Sequence, residues 1–171
     1  SSIPKQFRKT RIEKWTPPKS LKFDAFVEDV IATIQRELPW ALEAERAFGH
    51  GDFHPGNLLW RATRLTGVID WSHVAINPRA YEVSYCRADL AVLLGPRAAD
   101  RFLEAYEGRL GRRLGEDLSI WDLMCGLNAI AWGHFWMIGY AEQGRVDLTV
   151  RRTKQRARAF TSRALSRLAG S

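Results

Sequence analysis

Apolar residues recur every three to four positions from Phe23 to Leu38, the spacing that places one face of an α-helix against a core. Asp24 is a candidate N-cap residue near the start of this run, and Pro39 follows its last apolar position. The pattern predicts an amphipathic helix over residues 24–37. The next segment, WALEAERAF, predicts a second and shorter helix.

Two short apolar runs then follow a polar loop. The runs NLLW and GVIDW are separated by the polar segment RATRLT, which predicts a hairpin of two strands. From Pro78 onward the spacing and the terminating glycines predict four helices, in the segments RAYEVSYCRADLAVLLG, RAADRFLEAYEGRLG, LSIWDLMCGLNAIAWGHFWMIGYAEQG and LTVRRTKQRARAFTSRALSRLAG. The third helix is the most apolar and is expected to be central. The predicted fold class is mainly α, with one small β-hairpin.

Length and composition narrow the class of protein. A chain of 171 residues is long enough for one domain with a sizeable core. Its two cysteines, Cys86 and Cys125, are too few for a disulfide framework, which favours a reduced, cytoplasmic location. No apolar run approaches the roughly 18 residues of a membrane span, and the first residues lack the apolar core of a signal peptide. We expect no membrane association.

The net charge of +7 is unevenly distributed. Residues 1–22 and 150–171 each hold seven Lys and Arg and together one acidic residue, so the other 12 basic and 18 acidic residues give segment 23–149 a net charge of −6. An acidic body suits a metal ion or a cationic substrate, and basic ends are typical of solvated helix faces. The distribution argues against a nucleic-acid partner.

The loop HGDFHPGN concentrates unusual chemistry. Asp52 and Asn57 flank a segment that must turn sharply, and Asp70 ends the second predicted strand, within reach if the hairpin folds back. Carboxylate and amide oxygens are the ligands that Mg²⁺ prefers. A carboxylate not bound to the metal could accept a proton from a hydroxyl group.

The run from His50 to Asn57 resembles the catalytic loop of the aminoglycoside phosphotransferase and choline kinase group, a branch of the protein-kinase-like fold. The spacing from Asp52 to Asn57 equals that of the kinase pattern H-R-D-x-x-x-x-N. The run GVIDW, with Asp70, resembles the metal-binding strand end that takes the place of the kinase D-F-G. The likeness covers roughly residues 23–149 and implies the helical C-terminal lobe of a kinase-like fold, whose hairpin carries the metal-site residues.

The resemblance implies an ATP-dependent kinase that phosphorylates the hydroxyl group of a small molecule. Asp52 would be the catalytic base, Asn57 and Asp70 would hold Mg²⁺ against the nucleotide phosphates, and His50 would support the loop. The segment NPRAYEVSY departs from the group's Gly-Asp-Pro pattern, with Asn77 and Glu82 at the acidic or turn positions.

The substrate is less defined by sequence. The acidic body mildly favours a cationic substrate, and Asp122 and Glu142, on late helices, are the candidate substrate-binding residues. Trp132 and Trp136 could line the same site or belong to the core.

A second chemistry fits part of the same loop. His50, Asp52 and His54, with Asp70 and His73 downstream, could form the transition-metal cluster of a phosphoesterase. That alternative leaves the Pro-Gly-Asn segment of the loop unexplained.

A kinase of this type needs a second, sheet-rich lobe with a phosphate-covering loop and a lysine. The sequence has no lysine between Lys22 and Lys154, and the 22 residues of segment 1–22 are too few for that lobe. We therefore expect a basic segment over 1–22, a remnant of the interlobe connection, and a helical lobe over 23–171. The N-lobe is expected in cis or in trans, and the isolated chain should be weakly active or inactive.

The alternative is a non-catalytic binding module. The last predicted helix has an apolar stripe surrounded by arginines, as in a basic amphipathic helix. Such a helix could be the contact surface of the module, or it could pack on the lobe with its arginines in water.

Overall fold

The computed structural model describes residues 11–142 and 144–170, without the side chains of Arg11, Ile138 and Glu142. In these ranges the helices are α1 (Ala25–Ala41), α2 (Arg79–Leu94), α3 (Pro96–Leu110), α4 (Asp117–Glu142) and α5 (Val150–Ala169). The strands are β1 (Arg46–Gly49), β2 (Leu58–Arg61), β3 (Arg64–Val68) and β4 (Ala75–Pro78), and short 3₁₀ turns cover Arg11–Lys14, Pro55–Asn57 and Trp71–His73. The predicted class, mainly α, is confirmed.

Helix α1 begins as its sequence predicts and ends later. The Asp24 carboxylate accepts a hydrogen bond from the Val27 N–H at 3.0 Å, which caps the first turn. The helix continues past residue 37 and includes Pro39. A proline in the last turn removes one backbone hydrogen bond, and burial of Leu38 and Ala41 offsets this loss.

The helix predicted for WALEAERAF is wrong, because the chain forms strand β1 over Arg46–Gly49. This strand pairs antiparallel with β4, from Arg46 opposite Pro78 to Gly49 opposite Ala75. Neither strand alternates apolar and polar residues clearly enough to be recognised alone. Pairing between distant segments therefore outweighs local helix propensity here.

The predicted hairpin is present and is formed by β2 and β3. Its strands extend into the polar segment, since Arg61 pairs with Arg64 at the turn. The ladder shifts register between Leu59 and Trp60. The hairpin lies between the turn that ends at Asn57 and the segment that contains Asp70, so it brings these two parts of the chain together.

Helix α4 is central, as its apolar sequence predicts, and packs against α1, α2 and α5. Trp121, Leu123 and Leu127 on α4 are fully buried with the apolar face of α1. Helix α5 approaches α4 closely at Gly126 of α4, where a Cβ atom would overlap the hydroxyl of Thr161 on α5. Among the described residues, no helix combines the length and apolar character needed to cross a membrane.

The predicted boundary near residue 22 stays a prediction. Residues 1–10 lie outside the described part of the chain. Within the described part of that segment, Ile12 and Leu21 are buried in the same core cluster as α1. Both cysteines are buried and unpaired.

Candidate active site

The loop between β1 and β2 is fixed to helix α2 by Glu82. The Glu82 carboxylate accepts hydrogen bonds from the Gly51 N–H at 3.0 Å and from the Asn77 side-chain amide at 2.6 Å. Gly51 has φ +77°, and a Cβ atom there would overlap the carbonyl oxygen of His73. Only glycine therefore fits this position, where the loop crosses the 3₁₀ turn Trp71–His73.

The Asp52 carboxylate has a defined orientation at the centre of this loop. The Tyr85 hydroxyl, from α2, donates to Asp52 Oδ1 at 2.7 Å. The Asn57 amide donates to the Asp52 carbonyl at 2.9 Å and approaches Oδ2 at 3.4 Å. One quarter of the Asp52 side chain is exposed. The fold thus ties Oδ1 to α2, whereas Oδ2 makes longer contacts, with the Asn57 amide at 3.4 Å and with His54 Nε2 at 3.7 Å.

Asn57 and Asp70 lie on adjacent segments, because the Ile69 N–H donates to the Asn57 carbonyl at 3.0 Å. Asn57 is buried, and its amide nitrogen faces Asp52, so its side-chain oxygen is the atom available to a cation. Asp70 has a left-handed backbone with φ +58°, and its Oδ1 accepts from the Ser72 hydroxyl at 2.6 Å. This hydrogen bond lowers the pKa of Asp70, so its carboxylate form is favoured.

His50 connects the loop to the segment that carries Asp70. Its Nε2 donates to the Ile69 carbonyl at 2.8 Å, and its ring packs at 4.6 Å from the Trp71 ring. The side chain is buried. This position is compatible with the loop-supporting role that the sequence predicts.

The side-chain oxygens of Asn57 and Asp70 fit Mg²⁺, since both are hard ligands and Mg²⁺ commonly keeps waters or phosphate oxygens in its remaining positions.

The phosphoesterase alternative requires a cluster of metal-binding side chains. In the described part of the chain, no three His, Cys, Asp or Glu residues are grouped to hold a metal ion. The Nε2 of His50 is already bonded to a carbonyl oxygen. These observations give no support to the phosphoesterase alternative, which stays a prediction.

An open cavity of about 410 Å³ lies against the loop and is lined by Asp52 and His54, by Tyr85 and Asp89 of α2, and by Phe135, Trp136 and Tyr140 of α4. We call it the acidic cavity. A neighbouring cavity of about 240 Å³ shares Tyr85, Asp89 and Trp136 with it. The site therefore combines a candidate base with a second carboxyl group and aromatic walls.

Asp89 is the second carboxyl group of the acidic cavity. It is 5% exposed, and burial raises its pKa to about 7. The Tyr140 hydroxyl donates to Asp89 Oδ2 at 3.3 Å, and His54 Nδ1 lies 3.6 Å from the same oxygen. Burial lowers the pKa of His54, so its neutral form is favoured, and its Nδ1 accepts from the Gly56 N–H.

Sequence reasoning did not place Tyr85, Asp89 or Tyr140 in the site, and it considered His54 only for the alternative metal cluster. Tyr85 and Asp89 are four positions apart on α2 and therefore share a helix face. That spacing is a usable signal only when the helix and its neighbours are known. Burial also raises the pKa of Tyr85 well above its ordinary range, so this residue stays a hydrogen-bond donor.

Asp122 and Glu142 were the predicted substrate-binding residues. The structure places Asp122 in the core, fully buried, with its carboxylate bonded to Arg87 at 3.0 and 3.1 Å and to Arg167 at 2.6 Å. Asp122 is not among the residues that line the acidic cavity. The Glu142 side chain lies outside the described part of the chain. We therefore do not propose that Asp122 binds the substrate.

Helix α5 packs its apolar stripe on the body of the lobe, with Ala157, Phe160 and Ala164 buried. Several of its arginines bond within the molecule: Arg152 to Asp147, Arg156 to the carbonyls of Val92 and Leu93, Arg158 to Asp24, Arg163 to Asp100, and Arg167 to Asp122. These contacts attach α5 to α1, α2, α3 and α4. The binding-module alternative stays a prediction.

Two solved structures share the fold of this chain. The chain resembles the solved apo structure of a thermostable mutant of aminoglycoside phosphotransferase APH(4)-Ia, with 23% identity and a TM-score of 0.55 over 87% of this chain and 47% of that one. It also resembles a choline/ethanolamine kinase family protein from Mesorhizobium loti, with 21% identity and a TM-score of 0.50 over 86% of this chain and 48% of that one. The chain thus spans about half the length of these proteins.

A family model adds evidence from sequence. Residues 5–116 match the model described as APH, phosphotransferase enzyme family, which is well over half of the chain. The matched range includes the loop from His50 to Asn57 and the segment with Asp70. The resemblance predicted from these motifs is therefore confirmed, and the chain belongs to the APH phosphotransferase enzyme family.

Proposed function

We propose that this chain is the catalytic lobe of an ATP-dependent kinase that phosphorylates a hydroxyl group of a small molecule. The observation that supports this most strongly is the pair of contacts made by Asn57: its side-chain amide donates to Asp52, which lines the acidic cavity, and its carbonyl accepts from the N–H of Ile69, the residue before Asp70. In kinases, the helical lobe supplies a proton acceptor for the substrate hydroxyl and oxygen ligands for the metal ion, and Asp52, Asn57 and Asp70 are groups of these kinds.

In the proposed reaction, Asp52 orients the acceptor hydroxyl of the substrate and takes its proton at Oδ2. The hydrogen bond from Tyr85 to Oδ1 keeps the carboxylate from rotating. His50 holds the loop against the segment that carries Asp70. Together these contacts keep the base aligned before the substrate arrives, which reduces the reorganisation needed during the reaction.

Asn57 and Asp70 would hold Mg²⁺ through their side-chain oxygens. The ion would neutralise charge on the ATP phosphates. The carboxylate form of Asp70, which its lowered pKa favours, is the form that binds a cation.

The acidic cavity supports a cationic substrate. Asp89 and Asp52 supply carboxylates, and Trp136 and Tyr140 are aromatic residues of a kind that attracts an ammonium group. A bound cation also favours the ionised form of Asp89. One structural neighbour is named an aminoglycoside phosphotransferase and another a choline/ethanolamine kinase family protein, and we propose a hydroxylated amine for this chain as well.

The sequence lacks a lysine between Lys22 and Lys154 and a Gly-rich phosphate loop of the kinase type. We propose that a further segment in cis, or a partner polypeptide in trans, covers the ATP phosphates. The isolated 171 residues should then show weak or no transfer. A cytoplasmic location, where ATP is available, belongs to the same proposal.

The test is phosphate transfer from γ-labelled ATP to a panel of hydroxylated amines, with the protein encoded by the complete reading frame that contains this chain. The Asp52→Asn variant should lose transfer by about 10²- to 10⁴-fold, because the base is removed. The Asp100→Asn variant, which changes an aspartate outside the site, should retain activity. Transfer by Asp52→Asn within threefold of the unmodified protein would contradict the proposal.

A further inference from the structure

The cavity of about 240 Å³ that adjoins the acidic cavity lies in the same groove between α2 and α4. We call it the indole cavity, because Trp132 and Trp136 both line it. Its residues on α4 recur every three or four positions and so lie along one face of that helix: Cys125, Asn128, Trp132 and Trp136. The acidic cavity continues this face with Trp136 and Tyr140. The two cavities are therefore consecutive sections of one groove.

Asp89 of α2 lies where the two sections meet, since it lines both cavities. Its Oδ2 contacts Tyr140 and His54, whereas Oδ1 has neither a partner among the described residues nor complete burial, so a ligand in the groove can reach it. No Lys or Arg in the described part of the chain forms an ion pair with Asp89. Buried carboxylates are normally paired, so a cationic group of a ligand is the expected partner.

A single imidazole ring separates Asp89 from the proposed base. His54 Nε2 lies 3.7 Å from Asp52 Oδ2, and His54 Nδ1 lies 3.6 Å from Asp89 Oδ2. A substrate whose ammonium group contacts Asp89 can therefore present a hydroxyl group to Asp52 across a short linker. With a hydrogen bond of about 2.8 Å at each end, a two-carbon linker, as in a 1,2-amino alcohol, spans this gap.

Beyond Asp89, most of the lining of the indole cavity is apolar. Ala88 and Cys125 add small apolar side chains to those of Trp132 and Trp136. The Tyr85 hydroxyl, which belongs to another lining residue, donates to Asp52. An apolar cavity of about 150 Å³ is large enough for benzene, so the indole cavity can hold a single ring. An aromatic ring fits best, because it gains stacked or edge contacts with the two indoles.

We propose that the substrate of this chain is a 1,2-amino alcohol whose nitrogen carries a single-ring aromatic substituent, and that the indole cavity is the subsite for this ring. The hydroxyl group meets Asp52, the ammonium group pairs with Asp89, and the ring packs beside Trp132 and Trp136. The proposal rests on the proposed function, which makes the acidic cavity the substrate site. The continuity of the two cavities along α4 is the observation that places a substituent beyond Asp89.

The experiment uses N-benzylethanolamine, which joins a hydroxyl group, a secondary ammonium group and one phenyl ring. Isothermal titration calorimetry measures its binding to the protein encoded by the complete reading frame, without ATP, so that binding is separated from phosphate transfer. N-Methylethanolamine lacks the ring and should bind about tenfold more weakly, because it leaves the indole cavity unfilled. 2-Benzyloxyethanol has an ether oxygen in place of the ammonium group and should also bind about tenfold more weakly, since Asp89 stays without a cationic partner.

Variants locate the bound ring. Trp132 and Trp40 are similarly exposed tryptophans, at 41% and 51%, but of these two Trp132 alone lines the indole cavity. Trp132→Ala should reduce the preference for N-benzylethanolamine over N-methylethanolamine to about threefold or less, since the ring loses one of two indole contacts. Trp40→Ala should leave the preference unchanged. Circular dichroism checks the folding of both variants, and the comparison of the three compounds on the unmodified protein requires no variant.

A ring preference that falls in Trp132→Ala and persists in Trp40→Ala supports the proposal. Equal binding of N-benzylethanolamine and N-methylethanolamine overturns it, as does a preference that Trp132→Ala leaves intact or the absence of binding up to millimolar concentrations.

Phosphate transfer separates this proposal from the proposed function. Transfer that depends on Asp52 but occurs without any ring preference would support the proposed function and overturn the ring subsite. A ring preference that depends on Trp132, without transfer to any hydroxylated amine, would support the ring subsite and contradict the proposed function.

Discussion

At the scale of single residues, burial raises the pKa of Asp89 to about 7. Unfolding returns its pKa from about 7 to the ordinary value of 3.8. Between these values the unfolded chain releases the proton and the folded chain keeps it. The free energy of unfolding therefore falls as pH rises from about 4 through 7, and the stabilising contribution of the protonated form is lost above that range.

The Asp89→Asn variant tests this dependence. Asparagine is neutral at every pH and keeps an oxygen for the Tyr140 hydroxyl, so the variant lacks the penalty for burying a charge. Between pH 5 and pH 8, the wild-type protein should lose on the order of 2 kcal/mol of stability relative to Asp89→Asn. Urea denaturation of both proteins at the two pH values measures the difference, and a constant difference would show that Asp89 titrates normally.

Tyr85 is the residue whose hydroxyl orients the proposed base. Tyr85→Phe removes the 2.7 Å hydrogen bond to Asp52 and leaves the ring in place. A hydrogen bond to a charged group contributes about 1.5–3 kcal/mol, so kcat should fall about tenfold to a hundredfold, with KM for ATP unchanged. Tyr106→Phe removes a hydroxyl bonded to Arg79 and serves as the control. If kcat fell equally in the two variants, the loss would not be specific to the Tyr85–Asp52 hydrogen bond, and the orienting role of Tyr85 would be contradicted.

At the scale of elements, the packing of α4 on α5 depends on small residues at the contact. Gly126→Ala would place a methyl group on the Thr161 hydroxyl, and we expect a loss of about 1–3 kcal/mol of stability. In the same helix, Gly139→Ala meets no atom within 4 Å. That variant should gain about 0.5–1 kcal/mol from improved helix propensity. Thermal unfolding of both variants measures the contrast, and a stabilised Gly126→Ala would contradict the packing argument.

At the scale of the whole molecule, Asp122 joins three helices. Its carboxylate on α4 bonds to Arg87 of α2, which is 2% exposed, and to Arg167 of α5. The acidic cavity forms between α2 and α4, so this ion pair also fixes the two walls that carry Asp89 and Tyr140. Asp122, which the sequence analysis predicted to bind the substrate, thus stabilises the arrangement of the helices around the site.

Asp122→Asn should destabilise the protein by about 3–5 kcal/mol, because it leaves the Arg87 charge buried with a weaker partner. Asp147→Asn, which breaks exposed ion pairs with Arg145 and Arg152, should cost no more than about 1 kcal/mol. Chemical denaturation of both variants measures the comparison. Similar small losses in the two variants would mean that the Arg87 charge finds other partners.

The sequence by itself determined the family, the late helices and the positions of the unusual residues. The spacing from Asp52 to Asn57 is local, and periodic apolar residues with glycines at the ends are enough to define α2 to α5. The loop required glycine at position 51, and a glycine stands there. Such features depend on neighbours within a few positions, so the sequence contains them directly.

Only the tertiary structure decided which distant side chains meet. Strand β1 forms because β4, some thirty residues later, pairs with it, and no local pattern contains that information. Tyr85 and Asp89 face Asp52 because α2 packs beside the loop, whereas Asp122 faces Arg87 in the core. The charge and role of a carboxyl group depend on its burial and partners, and both are properties of the folded chain as a whole.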